Sequence, residues 1–289
     1  MAEILRGAPA AAAITEALRL RCNTLIESGI TPTLAIVRVG AREDDIAYEQ
    51  AAVRRCEKIG ITVRTFPFQE GDESGLLETI DAINTDDSIH GCLVFRPLKN
   101  AQLEKAVCSR LSAKKDVDGM TPQSMAHVYS GSGDGFAPCT AEACVRLLEY
   151  YNVPLSGKRV VILGRSLVVG KPLAMMLLAK HATVTVCHSK TVQIHEVAQD
   201  ADILVAALGK AGLVDRAFLH GEQTVIDVGI HESPDGSITG DVCAQDAAEI
   251  VKAYSPVPGG VGSMTTTVLA EHVLRACEDR TCNSFSKSV

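Results

Sequence analysis

Short runs of aliphatic residues alternate with helical patterns along the whole chain, and this order limits the possible folds more than any other feature. In the first half, helical patterns cover about 9–28, 44–59, 73–84 and 101–111, and strand patterns cover 34–39, 61–65 and 91–95. Four further strand patterns follow at 159–163, 182–186, 202–206 and 224–228. Strands that alternate with helices favour parallel sheets with right-handed crossovers. We therefore predict an α/β protein with an N-terminal α/β domain built on a parallel sheet and a C-terminal Rossmann-like domain.

Composition agrees with this fold class and excludes several functions. The 289 residues suit two domains, and the absence of Trp, with only five Tyr and six Phe, implies the aliphatic core typical of parallel sheets. A net charge of −7 without a basic block argues against nucleic acid as a partner. No apolar run approaches the roughly 18 residues of a membrane span, and no secretory signal is evident. The ten cysteines form no C-x-x-C pair, so we expect reduced thiols, no metal site and a cytoplasmic protein.

The boundary between the two domains is predicted near residue 138. Residues 112–138 are rich in Gly, Ser, Asp and Pro and have little periodicity, which indicates a loop or a domain junction. The first domain is therefore predicted to span 1–138 and the second 139–263, with a C-terminal helix at about 264–279 that packs back on the first. Thr140 is predicted to cap a helix that runs to about residue 151.

A glycine-rich turn follows the strand at 159–163 and indicates a dinucleotide site. Gly164 permits a tight turn, and the helix that begins near Gly170 offers free N–H groups to a pyrophosphate. Ser166 stands where the G-x-G-x-x-G pattern has its second glycine. An ordinary tight strand-to-helix turn is the alternative for this segment alone.

The end of the next strand selects between the two nicotinamide dinucleotides. An NAD site usually carries an acidic residue there, but this chain has His188, Ser189 and Lys190. A 2′-phosphate needs hydroxyl or basic partners, so NADP is favoured over NAD, with Arg165 and Ser189 as its contacts. A solvated strand end is the alternative interpretation.

Six short motifs occur in a fixed order along the chain. They are Lys-Asp-Val-Asp-Gly at 115–119, Pro-Cys-Thr at 138–140, the glycine turn at 164–172, Cys-His-Ser-Lys-Thr at 187–191, Asp-Val-Gly-Ile at 227–230 and Pro-Val-Pro-Gly-Gly-Val-Gly at 256–262. Together they resemble the bifunctional methylenetetrahydrofolate dehydrogenase/cyclohydrolase (FolD-type) family. The resemblance implies a two-domain homodimer with a folate cleft between the domains. Such an enzyme oxidises 5,10-methylenetetrahydrofolate with NADP to 5,10-methenyltetrahydrofolate and then hydrolyses that cation to 10-formyltetrahydrofolate.

The resemblance also implies roles for individual residues. Asp118 would hold the pterin and Tyr48 would lie against the folate ring system, in a cleft that is also lined by Pro258, Gly259 and Gly260. The dinucleotide would contact the set Gly164, Arg165, Ser166, Ser189 and Ile230.

This chain departs from the family pattern at three positions. Ala52 stands where the family has the lysine of Tyr-x-x-x-Lys, Phe95 stands where it has a glutamine, and Ser263 replaces a proline. Hydrolysis of the methenyl cation needs water activation and proton transfer, which a lysine can provide and an alanine cannot. Hydride transfer demands mainly alignment of donor and acceptor. We therefore expect an NADP-dependent dehydrogenase whose cyclohydrolase activity is weak or lost.

Several alternatives remain open at this point. The chain could be a non-catalytic folate- or NADP-binding relative that acts as a structural or regulatory subunit, a fully bifunctional enzyme in which Arg55 or Arg96 replaces the lysine, or a dehydrogenase for another small substrate. Asp118 could be a turn residue, Tyr48 an ordinary helix residue and Phe95 a core residue.

Overall fold

The computed structural model describes residues 2–232 and 236–285, and these residues form two compact units. The six-stranded unit contains the residues up to Ala12 and Thr140–Thr265, and the three-stranded unit contains Ala13–Cys139 and the chain from Thr266 onward.

The elements up to residue 150, in chain order, are β1 (Glu3–Ile4), α1 (Gly7–Glu27), β2 (Thr33–Val39), α2 (Glu43–Ile59), β3 (Thr62–Phe68), α3 (Leu76–Thr85), β4 (Gly91–Val94), α4 (Ala101–Arg110), α5 (Pro122–Ser130) and α6 (Cys139–Tyr150). Those that follow are β5 (Arg159–Leu163), α7 (Gly170–Ala179), β6 (Thr183–Cys187), α8 (Ile194–Gln199), β7 (Ile203–Ala206), β8 (Thr224–Asp227), β9 (His231–Glu232), β10 (Ile238–Thr239), α9 (Ala244–Ile250), β11 (Ala253–Tyr254) and α10 (Thr265–Phe285).

The three-stranded unit is built on a parallel sheet in the order β3-β2-β4. Its core joins aliphatic side chains of β2 and β4 to those of α3 and α4; they include Ala35, Val37, Ile80, Val94 and Val107. The central strand is buried, which explains why its sequence is continuously apolar rather than alternating. The predicted parallel sheet of the first domain is confirmed.

The six-stranded unit carries a sheet in the order β1-β11-β8-β7-β5-β6, in which every pair is parallel. From β5 the chain passes through α7 to the outer strand β6, and then through α8 to β7 on the other side of β5. The strand order therefore reverses between β5 and β7, and ligands of open α/β sheets bind outside the carboxyl ends of the strands at such a point. The predicted Rossmann-like fold is confirmed.

The segment 112–138 is not simply a loop, as the sequence indicated, because it contains α5. The Thr121 side chain accepts a hydrogen bond from the Ser124 N–H, and Pro122 occupies the first helical turn. This helix has only nine residues, too few to show a clear helical period. The prediction that Thr140 caps α6 is wrong. That helix begins at Cys139, whose N–H donates to the Asp118 carboxylate, and Thr140 lies inside its first turn.

The first residues of the chain group differently from the predicted first domain of 1–138. Glu3 and Ile4 pair with Ala253 and Tyr254 at the edge of the six-stranded sheet. Leu5, immediately after this strand, is completely buried. The predicted C-terminal helix at about 264–279 corresponds to α10, which from Thr266 onward belongs to the three-stranded unit.

Nine cysteines lie in the part of the chain whose side chains are described, and all nine are free thiols. Within the described residues, no helix combines the length and the apolar character needed to cross a membrane.

Candidate functional site

The Lys115–Gly119 motif forms a tightly held turn in the three-stranded unit. The Lys115 ammonium donates to the carbonyl oxygens of Ile83 and Asp86 at 2.5 and 2.7 Å. The buried Asp116 carboxylate accepts hydrogen bonds from two N–H groups just beyond the turn, those of Met120 and Thr121. Gly119 has a φ of +65°, and a Cβ there would lie 2.6 Å from the Phe136 carbonyl oxygen. These constraints fix the backbone that carries Asp118.

Asp118 presents a carboxylate that is held by one helix and remains partly accessible. Its Oδ1 accepts a hydrogen bond from the Cys139 N–H at 3.1 Å, at the start of α6. Desolvation by the surrounding protein raises the pKa of Asp118, and the hydrogen bonds from Cys139 and the charge of Arg96 oppose this rise. The structure thus makes Asp118 an oriented hydrogen-bond acceptor.

Tyr48, Ala52 and Phe95 occupy the positions predicted to have lost the proton-transfer pair. Tyr48 and Ala52 lie one turn apart on α2, and Phe95 follows the end of β4. The rings of Tyr48 and Phe95 meet edge to face, with centroids 6.0 Å apart and an interplanar angle of 81°. Ala52 is completely buried. Positions 52 and 95 therefore carry a methyl group and an aromatic ring, neither of which titrates.

The two arginines that could replace the missing lysine have different surroundings. The Arg55 guanidinium donates to the Thr15 hydroxyl on α1 at 2.9 Å, and burial lowers the pKa of Arg55. Arg96 lies next to Phe95 in sequence, and its charge acts on Asp118 and Cys108. Arg96 is therefore the cation associated with Asp118, whereas Arg55 is engaged with α1.

The turn after β5 has the close packing that a phosphate-binding loop needs. Gly164 has a φ of +126°, and a Cβ there would overlap the Ala207 carbonyl at the end of β7. A Cβ at Gly170, the first residue of α7, would likewise overlap the Gly164 carbonyl. The Ser166 hydroxyl accepts a hydrogen bond from the Val169 N–H at 3.0 Å and so closes the loop. Both glycines are required by geometry, and residues 165–168 of the loop between them are exposed.

The end of β6 lies beside this loop. The Gly164 N–H donates to the Cys187 carbonyl, so residues 188–190 continue from the strand adjacent to the loop. The His188 N–H donates to the Thr191 hydroxyl and the Lys190 N–H donates to His188 Nδ1, which forms a compact turn. Arg165 and Ser189 are both exposed at this edge of the sheet. The structure thus places these two predicted phosphate contacts at the ends of neighbouring strands.

The remaining predicted residues of the six-stranded unit lie on two loops. Ile230 follows β8 and is 66% exposed. Gly259 has a φ of +102°, and its carbonyl accepts a hydrogen bond from the Gly7 N–H at 2.8 Å. A Cβ at Gly7 would overlap the Gly260 carbonyl. The loop at 258–260 is therefore tied to the start of α1, a contact that the sequence did not indicate.

Two buried carboxylates to which sequence analysis gave no role shape the loops around Ile230. Asp227 accepts hydrogen bonds from three N–H groups, those of Gly229, Asp241 and Val242. Burial is the main cause that raises the pKa of Asp227 to about 6. Asp241 is completely buried and accepts from the N–H groups of Gly209 and Lys210 and from His231 Nε2. Asp227 begins the Asp-Val-Gly-Ile motif at 227–230, but the sequence did not indicate its hydrogen-bond partners.

Among the described residues, no three His, Cys, Asp or Glu side chains are arranged to hold a metal ion. The three-stranded unit carries a held carboxylate and an aromatic pair, and the six-stranded unit carries a phosphate-type loop.

Comparison with known proteins decides the family. Residues 5–118 match the profile "Tetrahydrofolate dehydrogenase/cyclohydrolase, catalytic domain", and residues 138–281 match the profile "Tetrahydrofolate dehydrogenase/cyclohydrolase, NAD(P)-binding domain". The chain belongs to the tetrahydrofolate dehydrogenase/cyclohydrolase family. The resemblance inferred from the six motifs is confirmed.

Individual members of the family match over almost the whole chain. The Bifunctional protein FolD of Carboxydothermus hydrogenoformans is 47% identical over 281 residues, which cover 96% of this chain and 98% of that protein. The crystal structure of the bifunctional FolD enzyme of Campylobacter jejuni superposes with a TM-score of 0.93 at 34% identity, covering 97% and 100% of the two chains. The FolD of Trypanosoma brucei, solved with NADP cofactor and inhibitor, has a TM-score of 0.91 at 30% identity, covering 97% and 98%.

Proposed function

We propose that this protein oxidises 5,10-methylenetetrahydrofolate to 5,10-methenyltetrahydrofolate with NADP and that it hydrolyses the product weakly or not at all. The observation that carries the proposal is the contrast between the two units. The six-stranded unit keeps two close-packed glycines in its phosphate-type loop, whereas positions 52 and 95 of the three-stranded unit hold a buried methyl group and an aromatic ring.

The residues of the six-stranded unit fit a dinucleotide with a 2′-phosphate. A Cβ at Gly164 or at Gly170 would overlap neighbouring backbone, and the exposed residues 165–168 of the loop between them would lie against the pyrophosphate. Arg165 and Ser189 would bind the 2′-phosphate with support from His188 or Lys190, and Ile230 would contact the nicotinamide half. NADP, when bound, accepts the hydride. The NADP complex of the Trypanosoma brucei relative supports this choice.

The three-stranded unit would align the folate. Asp118 would accept hydrogen bonds from the pterin, and the Tyr48 ring would lie against the folate ring system; the family resemblance also assigns Pro258, Gly259 and Gly260 to folate binding. Hydride transfer needs this alignment but no protein proton at the reacting carbon. The substitutions at positions 52 and 95 are therefore compatible with the oxidation step.

Hydrolysis has a different requirement. Water that attacks the methenyl carbon must lose a proton, and an alanine and a phenylalanine cannot accept one. Arg55 and Arg96 carry guanidinium groups that remain protonated, so they are poor bases. Loss of a positioned acid or base lowers a rate by about 10²- to 10⁴-fold. The relatives are named bifunctional. The expected loss of hydrolysis is therefore proposed for this chain and not for its relatives.

Parallel assays of the two steps on the purified protein test the proposal. We expect reduction of NADP that depends on methylenetetrahydrofolate, together with slow decay of added methenyltetrahydrofolate. Rapid hydrolysis would show a fully bifunctional enzyme. Ligand binding without NADP reduction would instead favour the non-catalytic relative, which the contact between Phe95 and Tyr48 also permits. Turnover only with other small substrates would favour a different dehydrogenase.

Cofactor choice is tested at Ser189. We expect the wild type to prefer NADP over NAD in kcat/KM, and Ser189→Asp to reverse that preference because a carboxylate repels the 2′-phosphate. Ser189→Ala is the matched control, which removes the hydroxyl without adding charge. The family resemblance also implies a homodimer, which light scattering on the same preparations checks.

A further inference from the structure

We propose that His272 is a positioning residue that holds Asp118 in place for folate binding. The inference rests on the proposed function, because it takes Asp118 as the group that anchors the substrate. His272 lies on α10, more than 150 positions along the chain from Asp118, in the same three-stranded unit. Neither the motifs nor the family resemblance pointed to it.

The first contact fixes the backbone beside Asp118. His272 is completely buried, and its Nδ1 lies 2.9 Å from the Val117 carbonyl oxygen. A carbonyl oxygen can only accept, so Nδ1 must carry the proton and donate it. This hydrogen bond ties the peptide unit between Val117 and Asp118 to α10.

Cys139 provides a second contact with the same segment. Its thiol donates to the Val117 carbonyl at 3.3 Å, and its backbone N–H donates to the Asp118 carboxylate at 3.1 Å. The Cys139 sulfur also lies 3.9 Å from His272 Nδ1. These contacts connect His272, Cys139 and the Val117–Asp118 segment. A displacement of the His272 imidazole would therefore also displace the Asp118 carboxylate.

The imidazole is itself kept in place by its surroundings. Its ring packs against Phe136 with centroids 5.1 Å apart, and the Arg275 guanidinium lies 4.3 Å from the centroid of the Phe136 ring. Farther along α10, Glu278 forms an ion pair with Arg21 of α1 at 2.6 Å. The helix that carries His272 is thus anchored within its own unit.

A second buried histidine provides a matched control. His90 is also buried in the three-stranded unit, and its Nδ1 accepts a hydrogen bond from the Thr33 N–H at 3.2 Å. It resembles His272 in burial and in binding a backbone group, but its hydrogen bond holds the start of β2 rather than the Asp118 segment. If His272 were only a structural residue, His272→Phe should therefore have the same effects as His90→Phe.

The test compares His272→Phe, His272→Asn and His90→Phe. Phenylalanine at position 272 keeps the aromatic packing and removes the donor, whereas asparagine keeps a donor. For His272→Phe we expect the KM for methylenetetrahydrofolate to rise roughly 5- to 30-fold, the effect of losing one buried hydrogen bond. The KM for NADP and kcat should change less than about twofold. His272→Asn should recover most of the folate affinity, and His90→Phe should lower the melting temperature without changing the KM for folate.

Hydrogen exchange gives a readout that does not depend on activity. The Cys139 amide, which donates to Asp118, should exchange faster in His272→Phe than in the wild type or in His90→Phe. A folded His272→Phe variant with unchanged folate KM and unchanged Cys139 exchange overturns the proposal, as does an equal rise in KM in His90→Phe. If the wild type neither binds nor oxidises the folate, the proposed function fails, and Cys139 exchange still decides whether His272 holds Asp118.

The wild type alone offers a second check in case the phenylalanine variant does not fold. Nitrogen NMR should show the His272 imidazole with its proton on Nδ1. A neutral ring protonated only at Nε2 could not donate to Val117 and would overturn the inference.

Discussion

A buried methyl group at Ala52 and the ring of Phe95 determine what the three-stranded unit can do next to Tyr48. An amine at position 52 could exchange protons with water, and a glutamine at position 95 could orient it by hydrogen bonding. The structure instead gives Tyr48 an aromatic neighbour at 6.0 Å. At the scale of single residues, the proposed loss of hydrolysis therefore depends on two side chains.

Restoring both side chains should restore hydrolysis. We expect Ala52→Lys combined with Phe95→Gln to raise the rate of methenyltetrahydrofolate hydrolysis by about 10²-fold or more, because a positioned acid or base contributes that much. Oxidation should change far less. The decay of methenyltetrahydrofolate absorbance measures the effect.

The matched control is Ala52→Met with Phe95→Gln, which has a side chain of similar length without the amine. Because Ala52 is fully enclosed, thermal unfolding of both variants must accompany the assay. An equal gain in the methionine variant would contradict the role given to the amine.

Asp227 should titrate far above a normal aspartate. Burial is the main cause that raises its pKa from 3.8 to about 6 in the folded protein. The folded state therefore binds more protons than the unfolded state between these values. The stability that protonated Asp227 contributes is present below about pH 4 and is lost as the pH rises to about 6.

Carbon-13 NMR of the aspartate carboxyls measures this titration, with Asp227→Asn identifying the resonance. In urea unfolding, the difference in stability between wild type and Asp227→Asn should fall between pH 4 and 6. A titration midpoint near 4 would contradict the prediction.

At the scale of elements, the junction of β5 and α7 is the most constrained part of the six-stranded unit. The loop joins a strand to a helix with no room for a side chain at either of its terminal glycines. The Ser166 hydroxyl accepts hydrogen bonds from the Val169 and Gly170 N–H groups, which closes the loop at the start of α7.

Gly164→Ala should therefore damage both stability and cofactor binding. The added Cβ would overlap the Ala207 carbonyl, and a φ of +126° is unfavourable for alanine. We expect a loss of about 2 kcal/mol or more in unfolding free energy, since strained backbone alone costs about 1–3 kcal/mol. The affinity for NADP, measured by calorimetry, should fall at least tenfold.

Gly209→Ala separates the effect of steric overlap from the effect of an unfavourable backbone φ. Gly209 lies just beyond β7 with a φ of +67°, but no atom lies within 4 Å of its hypothetical Cβ. This control should show a smaller loss of stability and nearly normal NADP affinity. Equal effects at the two glycines would rule out steric overlap as the cause.

At the scale of the whole molecule, each unit is completed by a segment from the opposite end of the chain. Residues up to Ala12 belong to the six-stranded unit, and α10 from Thr266 onward belongs to the three-stranded unit. The two units are therefore not independent consecutive pieces of sequence.

Leu5→Ala should destabilise the six-stranded unit, although it lies near the N-terminus. Truncation of a fully buried leucine costs about 2–5 kcal/mol. Hydrogen exchange should show lost protection in β11, which pairs with β1, and in β8, which lies next to β11. Ile4→Ala is the control, because Ile4 is 40% exposed. Lost protection confined to β2 and β4 would contradict this assignment of the N-terminus.

Local sequence patterns were sufficient for much of this fold. Parallel strands buried on both faces leave continuous aliphatic runs, so β2 to β8 were predictable to within three residues, whereas β1 and β11 were not predicted. Gly164 and Gly170 marked the phosphate loop because its geometry tolerates no Cβ. The order of the six motifs identified the family, and the replacement of its catalytic pair by Ala52 and Phe95 stays a prediction.

Contacts between distant segments had no such local signal, and only the tertiary structure decided them. The pairing of Glu3 and Ile4 with β11, the hydrogen bond from His231 to Asp241, and the contact of His272 with Val117 each join residues that are close only in the folded chain. The start of α6 could not be predicted from local sequence either. The Cys139 N–H donates to Asp118, a residue from an earlier segment, and Thr140 is not the cap. Sequence periodicity records which face of an element is buried, whereas a polar side chain finds its partner only after the elements have packed.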